Sequence, residues 1–150
     1  MGNIFNSDFR DFLRALNDQE VRYILVGGYS VILHGYSRTT GDMDIWVERS
    51  AENYKCIVRA FQQFGMPVFD MTPENFLDHP NWDVFTFGNP PVAIDLMIRI
   101  EGMDFADVYK RSVLFMEDGL PIRTIHRNDL IQAKKNAARA KDQNDLENLV

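Results

Sequence analysis

Two aspartates with the spacing of a metal-binding pair lie in residues 41–47, where the other residues are mostly apolar. Residues such as Met43 and Ile45 alternate with Asp42 and Asp44, which predicts a β-strand. Side chains alternate between the faces of a strand, so both carboxylates lie on one face and the apolar side chains face a core. Adjacent carboxylates repel each other and are costly to desolvate. Because a divalent cation removes that repulsion, the pair predicts a site for Mg²⁺ or Mn²⁺.

A glycine pair precedes this strand. Gly27 and Gly28 follow residues 23–26, a short run typical of a buried strand. Glycine permits a sharp turn and the close approach of a ligand to the main chain. A helix that begins here would direct free N–H groups at an anion such as a phosphate, and Ser30 could add a hydroxyl. A nucleoside triphosphate with its metal is the ligand that needs both the phosphate cradle and the carboxylate pair.

The order of these features resembles a known signature. An apolar residue, Gly-Gly, a short helix and then Asp-x-Asp resemble the DNA polymerase β-type nucleotidyltransferase superfamily. The version in residues 27–44, with Arg38-Thr39-Thr40 before the aspartates, is most similar to small bacterial nucleotidyltransferases related to the AbiEii toxins. The resemblance implies an α/β (α+β) nucleotidyltransferase fold, with a mixed central β-sheet flanked by α-helices. Arg38 could contact a phosphate or balance the nearby carboxylates.

The same superfamily has a third metal-directed carboxylate on a later strand. Residues 82–87 and 92–98 flank the turn sequence at 88–91, which predicts a hairpin. In the second of these strands, alternate residues form one apolar face and Asp95 stands on the other. Asp95 is the position that resembles the third carboxylate, and Asp83 is the rival. Asp95 is preferred because its strand is more apolar and therefore more central.

The end of the chain is locally basic. Residues 122–141 contain six basic side chains, opposed only by Asp129: Arg123, Arg127, Lys134, Lys135, Arg139 and Lys141. The segment from about 127 to 150 is predicted to be helical and packed on the rest of the domain. Residues 129–146 resemble a second motif of AbiEii-like proteins, in which basic residues hold nucleotide or substrate and an aspartate supports them. The resemblance makes Lys134 the first candidate for a triphosphate contact, with Arg139 and Lys141 behind it. It also implies Asp142 and Asp145 as their structural partners, while a purely solvated or scaffolding helix is the alternative.

Composition restricts the classes of protein that this chain can belong to. The 150 residues are 45% hydrophobic and 25% charged, which predicts one globular domain over residues 1–150. The net charge of −6 argues against a protein that coats nucleic acid with its whole surface. Cys56 is alone and no apolar run suits a membrane span or signal peptide, so we expect a cytoplasmic protein without internal disulfides.

Together with the resemblance, these observations imply an enzyme that transfers a nucleoside monophosphate from an NTP to a hydroxyl of an acceptor. Its expected cofactor is Mg²⁺ or Mn²⁺, and the acceptor is a tRNA, a protein or a small molecule. The predicted catalytic and metal-binding residues are Asp42, Asp44 and Asp95. The predicted nucleotide contacts are Gly27, Gly28, Ser30, Arg38, Lys134, Arg139 and Lys141.

The resemblance also implies a toxin–antitoxin or defence setting, with a cognate toxin or antitoxin protein as a partner. The main alternative is a catalytically weak nucleotide-binding or antitoxin-like module that has kept the fold. A third interpretation is an α/β protein in which the paired aspartates only cap loops.

Overall fold

The computed structural model describes residues 5–36, 40–89, 92–137, 145–147 and 149. The helices are α1 Ser7–Asp18, α2 Gly27–Leu33, α3 Ala51–Phe64, α4 Pro73–Leu77, α5 Phe105–Arg111 and α6 Arg127–Ala137. The strands are β1 Tyr23–Val26, β2 Met43–Val47, β3 Val84–Asn89, β4 Val92–Met97, β5 Val113–Glu117 and β6 Leu120–Thr124. None of the helices in this part of the chain combines the length and the apolar character that a membrane span requires.

The strands form one mixed sheet in the order β3-β4-β2-β1-β6-β5. The central strand β2 pairs antiparallel with β1 and parallel with β4. Strand β1 pairs parallel with β6, and the pairs β3–β4 and β5–β6 are antiparallel. This sheet with its flanking helices confirms the predicted fold class.

One face of the sheet carries the larger apolar core. The β2 residues Met43, Ile45 and Val47 are fully buried there, as the alternation in the sequence predicts. Helices α1 and α3 cover this face with aromatic side chains such as Phe12 and Phe61, whose rings meet edge to face at 5.5 Å. Burial of such side chains contributes about 1.5–3 kcal/mol each, which makes this core the main anchor of the sheet.

The opposite face is divided into an apolar part and an acidic part. A second cluster joins Ile24 and Trp46 of the sheet to Val108 of α5 and Leu130 of α6. Because side chains alternate along a strand, Asp44 lies on the same face as Trp46. These apolar contacts hold α5 and α6 over one part of this face. The acidic part, with Asp44, lies near the start of β2.

A buried amide fastens β1 to β2 at the end of the pair away from Asp44. The Oδ1 atom of Asn53 accepts a hydrogen bond from the Arg22 N–H at 2.8 Å. Its Nδ2 atom donates to the carbonyls of Arg22 and Glu48, at 3.1 and 2.9 Å. Only 2% of Asn53 is exposed, so the amide makes these three hydrogen bonds from a buried position.

We expect Asn53→Ala to lower the free energy of unfolding by about 3 kcal/mol, because it removes three hydrogen bonds between a buried amide and the main chain. Urea denaturation measures this loss. Gln63→Ala is the matched control, since Gln63 is an exposed amide that bonds to Gln19 and Asp18. The control should lose less than about 0.5 kcal/mol, and an equal loss in the two variants would contradict the assignment.

Candidate active site

Three aspartates from two neighbouring strands meet on the divided face of the sheet. Asp44 of β2 is the direct register partner of Asp95 in the parallel strand β4. Both side chains point to the face that α5 and α6 share. Asp42 lies two residues before Asp44, and its Oδ1 atom accepts a hydrogen bond from the Ala93 N–H at 3.1 Å. All three aspartates are half-buried, so their carboxylates remain open to a ligand.

The other candidate for the third carboxylate lies farther along the sheet. Asp83 precedes β3, and its carbonyl accepts a hydrogen bond from the Ile98 N–H at 2.9 Å. Ile98 is three residues beyond Asp95, a distance of about 10 Å along a strand. The Asp83 carboxylate instead forms an ion pair with Arg99 at 3.2 Å. The structure therefore brings Asp95, and not Asp83, next to Asp44.

The glycine bend faces Asp44. Helix α2 begins at Gly27 itself, immediately after β1. Gly27 has a φ of +69°, and a Cβ atom added to it would lie 2.1 Å from Oδ2 of Asp44. Only a residue without a side chain fits here, because the Asp44 carboxylate occupies that space. The start of α2, where Gly28 is buried, thus lies directly beside the carboxylates.

Ser30 does not present its hydroxyl to a ligand. Its exposed fraction is 0%, and its Oγ atom donates a hydrogen bond to the Gly27 carbonyl at 2.6 Å. The prediction of a direct phosphate contact is therefore corrected, because a hydroxyl held inside the first turn of a helix cannot reach outward. Ser30 stabilises the glycine bend instead.

Two further side chains fix α2 in place. Tyr29 stacks on Phe5 at 4.7 Å, and burial, with the negative charge of Asp42, raises the pKa of its hydroxyl. At the other end, Nε2 of His34 lies 2.7 Å from the Ile125 carbonyl oxygen. Burial lowers the pKa of His34, which favours the neutral ring. These contacts tie α2 to the core on one side and to the end of β6 on the other.

Thr86 is a site residue that the sequence analysis missed. It is the antiparallel partner of Asp95 in the β3–β4 hairpin, and its Oγ1 atom donates a hydrogen bond to Asp95 Oδ1 at 2.7 Å. The signal was available, since counting outward from Pro90-Pro91 places residue 86 opposite residue 95. Thr86 therefore orients the third carboxylate.

Of the basic residues predicted to contact the nucleotide, only Lys134 lies within the described part of the chain. The Nζ atom of Lys134 forms an ion pair with Asp145 at 3.1 Å, and the two side chains are only 7% and 0% exposed. The predicted pairing with Asp145 is thus confirmed, but a lysine buried in this way is not displayed to a triphosphate. Arg38, Arg139, Lys141 and Asp142 lie outside the described residues.

The three aspartates supply the donor chemistry that suits a divalent cation. Carboxylate oxygens are the donors that Mg²⁺ and Mn²⁺ prefer, and Asp44 and Asp95 are register partners in neighbouring strands. In the present rotamers, however, Asp42 and Asp95 accept hydrogen bonds from protein donors. No group of three His, Cys, Asp or Glu side chains among the described residues is already arranged around a metal position. Metal binding would therefore require small rotations of these carboxylates.

The family of the chain follows from its sequence. Residues 7–150 match the family described as nucleotidyltransferase of unknown function (DUF6036). The chain belongs to this family. A search of curated proteins found no match.

Solved structures show the same fold. The chain superposes on the lincosamide antibiotic adenylyltransferase LnuA, bound to lincomycin, with a TM-score of 0.63 at 16% identity, covering 99% of this chain and 98% of that one. For a Thermotoga maritima protein assigned as a nucleotidyltransferase (TM1012), the TM-score is 0.58 at 17% identity, with 93% and 88% covered. For the antibiotic-resistance factor ANT(2'')-Ia it is 0.60 at 13% identity, with 95% and 80% covered. The predicted nucleotidyltransferase resemblance is confirmed at the level of the family and the fold.

A glycine substitution tests the fit between the bend and Asp44. Gly27→Ala and Gly119→Ala each add a side chain to a residue in the left-handed backbone conformation, because Gly27 has a φ of +69° and Gly119 a φ of +81°. This backbone strain should cost each variant about 1–2 kcal/mol of stability. Only Gly27→Ala also displaces the Asp44 carboxylate, because nothing lies within 4 Å of a Cβ at Gly119. We expect Mg²⁺-dependent ATP binding, measured by calorimetry, to be lost in Gly27→Ala alone. Equal binding by the two variants would contradict this geometry.

A second substitution tests the role of Lys134. Lys134→Met leaves Asp145 without its lysine, so we expect the free energy of unfolding to fall by about 3 kcal/mol. The double variant Lys134→Met/Asp145→Leu should recover most of that loss, and Lys135→Met, at the exposed neighbour, should change little. Thermal and urea unfolding measure all three. A stable Lys134→Met that has lost nucleotide affinity would instead restore Lys134 as a direct contact.

Proposed function

We propose that this protein is a metal-dependent nucleotidyltransferase that transfers a nucleoside monophosphate from an NTP to a hydroxyl of a small acceptor. One observation carries the proposal, which is the position of Asp44. Its carboxylate lies against the Gly27 bend on one side, and it is the register partner of Asp95 on the other. A triphosphate at the start of α2 would therefore lie next to both strands that carry the carboxylates.

The three aspartates would divide the chemistry. Asp42, Asp44 and Asp95 would hold Mg²⁺ or Mn²⁺, which supplies charge neutralisation for the triphosphate and the leaving pyrophosphate. Asp95 would also accept the proton of the acceptor hydroxyl as the new O–P bond forms and the bond to pyrophosphate breaks. Thr86 holds Asp95 in place through the 2.7 Å hydrogen bond. The protein would thus act chiefly by positioning and charge stabilisation.

The nucleotide would be bound largely by main chain and by residues that the resemblance implies. The first N–H groups of α2, at Gly27 and Gly28, have no side-chain cap from Val26, and groups of this kind bind phosphate oxygens. Arg38, Arg139 and Lys141 remain proposed contacts on the strength of the AbiEii resemblance. The toxin–antitoxin setting and a cognate protein partner rest on that resemblance too.

A small-molecule acceptor is favoured over a tRNA or a protein. LnuA is a lincosamide antibiotic adenylyltransferase, and ANT(2'')-Ia has a structure in complex with adenylyl-2''-tobramycin. LnuA is also nearly matched in length, since the alignment covers 98% of it. The net charge of −6 disfavours the binding of an extended RNA. These points together support a compact acceptor.

A catalytically weak nucleotide-binding or antitoxin-like module is the second candidate. It is favoured by the arrangement of the acidic side chains, since no group of three among the described residues surrounds a metal position. If the carboxylates keep these rotamers with nucleotide bound, they do not close around a metal. The two candidates differ in whether bound nucleotide is converted to product.

The test is transfer of label from each α-³²P-labelled NTP with Mg²⁺, using fractionated cell extract as the source of acceptors. We expect the native protein to label the small-molecule fraction. Asp44→Asn should lower the rate by at least about 100-fold, and chelation of the metal should abolish it. Asp83→Asn is the matched control and should retain the rate, because Asp83 pairs with Arg99 away from the site.

The outcomes separate the candidates. Nucleotide binding without label in RNA, protein or small molecules would support the second candidate. Label in RNA or protein would keep the enzyme and overturn the acceptor class. Absence of both binding and transfer would exclude both candidates.

A further inference from the structure

Strand β5 forms one edge of the sheet and carries two exposed apolar side chains. It pairs with β6, and no other strand in the described part of the chain lies along its outer side. Leu114 is 53% exposed and Met116 is 62% exposed. In β3, the other edge strand, Val84 is exposed, but Phe85 and Phe87 are buried. An exposed apolar edge strand such as β5 is a template for pairing with another chain.

The turn after β5 determines which main-chain groups point to the free edge. Asp118 and Gly119 form a two-residue turn with φ values of +50° and +81°, as in a type I′ turn. In such a hairpin the residues that flank the turn, here Glu117 and Leu120, exchange main-chain hydrogen bonds, and every second pair beyond them does the same. The odd-numbered residues of β5 therefore bond to β6, and the even-numbered ones direct their N–H and C=O groups away from it.

A contact on the other side of the hairpin agrees with this pattern. Arg123, the register partner of Leu114, donates its N–H to Oη of Tyr23 at 3.3 Å. Because Tyr23 belongs to β1, this N–H points away from β5, as expected in a pair that exchanges no hydrogen bonds. Leu114 and Met116 therefore present main-chain groups along the edge in addition to their exposed apolar side chains.

The charges at the two ends of β5 have opposite signs. Lys110 and Arg111, both exposed, end α5 just before the strand, and Glu117 and Asp118 lie at its far end. Antiparallel pairing of two copies brings the basic end of each strand beside the acidic end of the other, whereas parallel pairing sets like charges together. The edge of β5 is therefore complementary to itself after a twofold rotation, which is the requirement for a symmetric dimer.

We propose that the edge of β5 binds a second copy of this chain, with the two β5 strands antiparallel and Phe115 opposite the same residue of the second copy. In this register Leu114 of each copy faces Met116 of the other. Both residues direct their main-chain groups to the shared edge, so each such pair exchanges two hydrogen bonds. A shift of two residues would set Met116 opposite Ser112 or Leu114 opposite Asp118, which places an apolar side chain against a polar one.

The proposed dimer leaves the candidate active site open. Strands β1 and β6 lie between β2 and β5, so about 14 Å separates β5 from the strand that carries Asp44. The second copy extends the sheet beyond β5, away from the carboxylates. The inference therefore does not depend on the proposed function.

Sedimentation equilibrium of the 150-residue chain tests the association. We expect a species of twice 17.4 kDa, with a Kd at or below about 10 μM. Met116→Lys should raise this Kd by at least about tenfold, because a lysine on an edge strand opposes pairing. Met116 is exposed, so the variant should remain folded, and its far-UV circular dichroism spectrum checks this.

Val84→Lys is the matched control, since it makes a similar change at an exposed apolar residue of the other edge strand. It should dimerise as the native chain does. A native chain that sediments as a monomer at about 50 μM, or an equal loss of association in Met116→Lys and Val84→Lys, would overturn the proposed interface.

Disulfide trapping tests the register. A Cys56→Ala background removes the one cysteine of the chain. In that background Phe115→Cys places two thiols on directly opposite residues, whose Cα atoms lie about 4.5 Å apart. Val113→Cys on the same face of the strand places its thiols four residues out of register, about 13 Å apart, which is too far for a disulfide.

Mild oxidation followed by a non-reducing gel should therefore show a covalent dimer for Phe115→Cys and a monomer for Val113→Cys. Cross-linking of Val113→Cys in place of Phe115→Cys, or of neither variant, would overturn the antiparallel register.

Discussion

The parallel pairing of β2 with β4 is the constraint on which the rest of the site depends. It sets Asp44 opposite Asp95, at the spacing of about 4.8 Å between neighbouring strands. A shift of one residue would turn one of the two carboxylates to the other face of the sheet. That shift is prevented by the core, because Met43, Ile45 and Leu96 are fully buried on the reverse face. The apolar side chains thus fix the position of the charged ones.

This arrangement brings carboxylates close to one another and close to apolar side chains, and the fold offsets the cost of each locally. The half-buried carboxylates repel one another, but Ala93 N–H and Thr86 Oγ1 donate hydrogen bonds to two of them. The apolar part of the same face is separated from the charges along the strand, with Trp46 buried against Phe105 at 5.2 Å. The result is a stable sheet with an acidic end beside the glycine bend, suited to a ligand that brings positive charge.

Sequence patterns predicted the features whose causes are local. The alternation in residues 41–47 fixed which side chains face the core, and the strand followed by Gly27 and Gly28 indicated the bend. The apolar strand around Asp95 favoured it over Asp83 as the third carboxylate, which stays a prediction, and the resemblance implied Asp145 as the partner of Lys134. The local patterns succeeded because period and turn chemistry act between residues that are near in the chain.

The tertiary structure alone decided which of these residues can meet a ligand. Strands β2 and β4 are separated by α3, α4 and β3 along the chain, so no local pattern specifies that Asp44 pairs with Asp95. Burial likewise turned Ser30 and Lys134 inward, because the first turn of α2 and the contact with Asp145 enclose them. The contact between Thr86 and Asp95 arises from cross-strand register. The sequence by itself thus determined the chemical groups, and long-range pairing determined which of them come together.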